Sequence, residues 1–74
     1  LAYKVGRCLL RELLDNVGMK QIELADQLNV TKQQVSKYVT NSQGMSLEVA
    51  KNISVILHCR IEDLYEWDEV DNNE

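Results

Sequence analysis

The stretch QIELADQLNVTKQQVSKY, Gln21 to Tyr38, decides how this chain is read. Ile22, Leu24, Ala25 and Leu28 form an apolar stripe at helical spacing, which predicts a short helix from Gln21 to Leu28. Asn29 follows, and Asn tolerates the left-handed backbone that a sharp turn requires. Thr31 is a good N-cap for the next helix, and Gln34 three residues later completes a capping-box pattern. Val30 and Val35 stand where a hydrophobic staple forms. At the helical turn per residue, Lys32, Gln33, Ser36, Lys37 and Thr40 share an arc of roughly 140°. Val35, Tyr38 and Val39 fall on the opposite side. The second helix therefore shows one polar face and packs the other inward. Two short helices and a tight turn of this kind make the pattern of a helix-turn-helix, whose second helix enters the DNA major groove.

Working outward, a first helix is expected from about Tyr3 to Asn16. Val5, Cys8, Leu9, Leu13 and Val17 follow helical spacing, Leu10 and Leu14 widen the stripe, and Gly18 ends it. After the polar loop Thr40-Asn41-Ser42-Gln43-Gly44, Ser46 caps a fourth helix that runs to about Leu57, with Glu48 in its first turn. A short fifth helix is expected from about Ile61 to Trp67, anchored by Ile61, Leu64 and Tyr65. Residues 68–74 are expected to be an acidic, frayed tail. The fold class expected is thus all-α, a compact five-helix domain over 1–67.

Seventy-four residues suit a single small domain with no separate effector domain. No apolar run approaches membrane-spanning length. Arg7, Arg11 and Glu12 interrupt what would be the core of a signal peptide, and Leu1 in place of Met is expected of a trimmed or renumbered chain. Cys8 and Cys59 are far apart, and with His58 alone they supply no metal-ligand set. They read as two partly buried thiols in a reducing cytoplasm, with a disulfide between them left open. No cofactor or metal is expected. No nucleophile–base constellation or Gly-rich phosphate loop points to an enzyme.

The net charge of −4 is unevenly placed. Residues 1–60 hold all eight Lys and Arg against five acidic residues, a net of +3. Residues 61–74 hold seven acidic residues and no basic one. A mildly basic body therefore precedes a strongly acidic end, and only the local field at a DNA face governs phosphate contact.

These residues resemble the XRE/Cro-type, lambda-repressor-like helix-turn-helix family. The likeness runs from about Gly6 to Trp67. Its strongest part is Gln21-x-x-Leu24-Ala25-x-x-Leu28-Asn29-Val30 followed by Val35-Ser36-x-Tyr38, with Ser46-Leu47 through Ile61-Glu62-Asp63-Leu64 as a second part. The resemblance implies that Ala25 sits where two helices approach closely, with Leu24, Leu28, Val30 and Val35 filling the space. It also implies that Lys32, Gln33 and Lys37 read bases, with Ser36 as a further base contact. Lys suits guanine O6 and N7, and Gln suits adenine N6 and N7. Gln21, at a helix N-terminus, suits a phosphate. Gln34, Tyr38, Thr40, Asn41, Ser42 and Gln43 are the remaining candidate phosphate contacts.

Six positions depart from the family pattern. Lys20 and Arg60 stand at helix caps, Asn29 replaces a turn Gly, and His58 takes the place of another. Leu14 and Val39 replace an Arg–Glu pair, so an apolar contact is expected there. The bland reading of Lys32, Gln33 and Lys37 is an ordinary solvated helix face. The implied function is a sequence-specific transcriptional regulator of double-stranded DNA, a repressor in the simplest form. It is expected to be homodimeric, cytoplasmic and nucleoid-associated. Two other readings stay open: an antitoxin whose acidic end holds a toxin, and an interaction module that has lost DNA binding.

Overall fold

The computed structural model describes residues 2–70. Strand β1 spans Ala2–Cys8, followed by helices α1 Leu10–Val17, α2 Gln21–Leu28, α3 Lys32–Val39 and α4 Leu47–Leu57. A 3-10 turn over Ile61–Leu64 leads into strand β2, Tyr65–Val70, which pairs antiparallel with β1. Four helices thus carry a two-stranded ribbon, and the expected five-helix, all-α architecture is corrected on both flanks.

The correction has a local cause at each end. The expected first helix began at Tyr3, but Tyr3 and Val5 alternate with Lys4 and Gly6, and Gly weakens a helix while Tyr and Val favour a strand. Only Leu10 onward is helical. The expected fifth helix stops at Leu64, because Tyr65, Trp67 and Glu69 alternate with Glu66, Asp68 and Val70 along a strand. Asp68, Glu69 and Val70 lie within β2, so the boundary expected after residue 67 falls inside a paired strand. The rest of the expected tail, 71–74, lies outside the described residues.

Val5 faces Trp67 and Cys8 faces Tyr65, so two residues of β1, Gly6 and Arg7, lie opposite Glu66 alone. This is a β-bulge. Gly6 is required by close approach: a Cβ there would lie 3.0 Å from the Glu66 carbonyl oxygen and 3.1 Å from its Cβ. The Trp67 indole donates to the Glu62 carbonyl at 2.8 Å and meets the Tyr65 ring edge-on, with centroids 6.3 Å apart. Tyr3, Val5 and Trp67 remain exposed on the ribbon, and Leu47 is 74% exposed on α4.

One core joins all four helices to the 3-10 turn. Leu10, Leu24, Val35, Ile53 and Leu64 are its fully enclosed side chains. Ala25, on α2 where that helix packs against α3, is 1% exposed. Leu14 and Val39 are both buried in this cluster, as the apolar replacement of an ion pair requires. Val30 was expected inside but is 38% exposed. It precedes the cap, where the chain still runs across the surface. Cys8 and Cys59 are free thiols, and burial pushes both up from the usual thiol range. No helix among the described residues is long and apolar enough to cross a membrane.

Candidate nucleic-acid interface

Local capping holds α2 and α3 in register. The Thr31 hydroxyl accepts from the Gln34 N–H at 3.1 Å, forming the capping half of the expected box. Lys20 has no acceptor to cap α2; instead the Glu23 carboxylate reaches back to the Lys20 N–H at 2.8 Å. Asp63 does the same for Arg60 N–H at 3.0 Å. Asn29 turns the chain between α2 and α3 with φ of 60°, and its N–H donates to carbonyls of the last helical turn. His58 ends α4 in the same left-handed conformation, φ 56°, and so is a turn residue.

On α3 the structure separates the two faces. Lys32, Gln33 and Lys37 are exposed and Ser36 is half-buried beside them. Val35, Tyr38 and Val39 are buried on the other side. Tyr38, a candidate phosphate contact, is only 6% exposed and belongs to the core. Gln34 and Gln21 are half-buried, and Gln21 opens α2, where the first N–H groups lack helical partners.

Beyond α3, several candidate side chains already have internal partners. The Thr40 hydroxyl donates to the Ser36 carbonyl at 2.9 Å and lies 3.0 Å from Ser42 Oγ. Ser42 Oγ donates to the Lys37 carbonyl at 3.3 Å. Asn41 holds the backbone of Cys8: its Oδ1 accepts from Cys8 N–H at 2.7 Å, and its Nδ2 donates to the Cys8 carbonyl at 3.4 Å. The hydroxyls add second bonds to carbonyls that backbone N–H groups already engage at the end of α3, and Asn41 ties the loop to β1. Gln43 is exposed.

The structure also assembles a feature that helix periodicity did not show. Arg11 of α1, Lys20 before α2, Gln21, and Lys32 of α3 line one depression with Asp15. No sequence spacing links Arg11 to Lys32. Only the packing of α1 beside the helix-turn-helix places them together. Arg7, by contrast, is engaged on the ribbon by Glu12 at 2.9 Å and Glu66 at 3.6 Å. The hydrogen bond and charge of Glu12 raise the Arg7 pKa, and Arg7 in turn lowers that of Glu12. Among the described residues no ion pair engages Arg11, Lys20, Lys32 or Lys37, and no group of three His, Cys, Asp or Glu is arranged to hold a metal ion.

The chain is similar to several known proteins. A family model for the Cro/C1-type helix-turn-helix DNA-binding domain matches residues 9–69. An SPbeta prophage-derived uncharacterized HTH-type transcriptional regulator, YopS of Bacillus subtilis (strain 168), is 37% identical over 65 residues, covering 86% of this chain and 88% of the relative. A transcriptional regulator from Listeria innocua superposes with a TM-score of 0.70 at 26% identity, over 86% of this chain and 61% of that one. The transcriptional regulator VanUg superposes with a TM-score of 0.68 at 28% identity, over 95% of this chain and 92% of that one. The capped α2–turn–α3 unit, its exposed polar face and the match across residues 9–69 together place this chain in the Cro/C1-type helix-turn-helix family of DNA-binding domains.

Proposed function

We propose that this regulator is a repressor that reads duplex DNA as a homodimer, with α3 in the major groove. Lys32, Gln33 and Lys37 reach base edges, with Ser36 as a closer secondary contact. Gln21 and the free N–H groups of α2 hold a phosphate, and Arg11 and Lys20 add positive charge beside it. Gln34, Thr40, Ser42 and Gln43 lie near the backbone on either side. Tyr38 serves mainly inside the protein because it is buried, and the exposed Asn41 is engaged by its bonds to the Cys8 backbone.

The observation that carries this reading is the exposed Lys32–Gln33–Lys37 face on a helix whose opposite side is fully packed. The homodimer follows from reach. Eight residues of helix span about 12 Å, enough for a few base pairs, and useful specificity calls for two half-sites. The setting is then the cytoplasm, on the nucleoid.

Selection from a random duplex pool tests the whole reading. The expected result is one enriched motif with two-fold symmetry, its half-sites one or more helical turns apart. A single unpaired half-site would remove the homodimer and keep the reader. Failure to retain any duplex at low salt would leave the interaction-module reading, or a toxin-binding role for the acidic end.

A further inference from the structure

Asn41 occupies an unusual position for a loop residue. It follows α3 with φ of 63°, a left-handed conformation that Asn tolerates better than most side chains. Its side-chain amide presents one oxygen and one NH2 group, as a neighbouring strand would present a carbonyl and an N–H. Both meet the backbone of Cys8, thirty-three residues away in sequence. Cys8 is the residue at which β1 leaves its bulge, and the next residue, Leu9, donates its N–H to the Leu64 carbonyl at 2.8 Å. The join between ribbon and helices is therefore gripped from two sides, and Asn41 supplies the grip from the α3 side.

We propose that Asn41 is a positioning residue of the DNA-reading surface, fixing the end of α3 and the 40–43 loop against β1 through its paired contacts with Cys8. The proposal rests on the DNA-reading function above. α3 is short, and its two ends are held differently: Thr31 and the turn fix the start; the end is held locally by buried Tyr38 and Val39 and the Thr40 and Ser42 hydroxyls, and is tied to β1 by this amide. Base contacts from Lys37 and backbone contacts from the loop must fit one duplex simultaneously. Non-specific binding needs no such register. Loosening the end of α3 therefore weakens the specific complex selectively.

The test compares the intact chain with Asn41→Gly, which keeps the left-handed backbone and removes both bonds. Dissociation constants are measured on the selected duplex and on a random duplex at one salt concentration, with folding confirmed by circular dichroism. Specific affinity should fall about tenfold, the scale of one to two lost hydrogen bonds. Random-duplex affinity and the salt slope should stay the same. An unchanged ratio of the two affinities, or an equal fall in both, overturns the proposal. Amide exchange gives a variant-free reading: in the unaltered chain, Cys8 N–H should gain protection on the selected duplex but not on the random one. Equal protection on both also overturns it. If the unaltered chain binds no duplex, the DNA-reading function fails first and the positioning role with it; normal binding with an unchanged ratio sinks the positioning role alone.

Discussion

Gln33 stands second in α3 with its side chain exposed, one residue after a Lys and four before another. An amide there can pair with adenine in the two-bond geometry that a Lys cannot copy. Gln33→Ala should cost about 1–3 kcal/mol on the selected site and relax one base position. Binding measured across single-base variants checks this, and an equal loss on every sequence would make Gln33 a backbone contact. At this scale much was legible. Thr31 caps α3, Asn29 turns with positive φ, and Gly18 ends α1 with φ of 70°, each from intrinsic backbone preference. His58 adopts the turn conformation despite its less suitable side chain. The inward packing of Tyr38 was legible in the helical arc, although its hydroxyl also read as a phosphate contact; the internal role of Asn41 was not legible. A Tyr can pack or present its hydroxyl, and an Asn amide chooses its partner only after distant chain arrives beside it.

Among the elements, α2, α3 and α4 match their expected bounds closely because each combines a helical apolar stripe with a start or stop signal. The ribbon was missed for the opposite reason. Seven and six residues give weak alternation, and the apolar positions from Val5 onward also fit helical spacing. Neither strand has a partner until the ends of the chain meet. Gly6 tests the ribbon directly, since its missing Cβ admits Glu66 at the bulge. Gly6→Ala should destabilise ribbon pairing by about 1–3 kcal/mol, the scale of overpacking. Amide exchange should then quicken along β1 and β2 while the Leu24 and Val35 amides stay protected. Unchanged ribbon protection would contradict the close approach.

Across the whole molecule, charge and shape work together. The chain extends 45 Å along its long axis and about half that across, 22 by 20 Å. The acidic residues of β2 pair with the ribbon, where Arg7 already meets Glu66 and Lys4 lies opposite Asp68. Arg11, Lys20 and Lys32 instead gather at the mouth of α2 and α3. A domain with net charge −4 can therefore still offer phosphate a positive face. The two cations assigned to phosphate, Arg11 and Lys20, predict a log–log salt slope of about −1.8 per copy, and roughly twice that for a dimer. Titration over a range of salt concentrations measures it, and a slope near zero would exclude these cations from phosphate contact. By itself the sequence determined the helix-turn-helix, its caps and the polar face of α3, because those rest on preferences expressed within a few neighbouring residues. Only the tertiary structure decided the ribbon, the Asn41–Cys8 grip and the basic depression. Each joins segments far apart in the chain, and long-range pairing is set by which surfaces the core brings together.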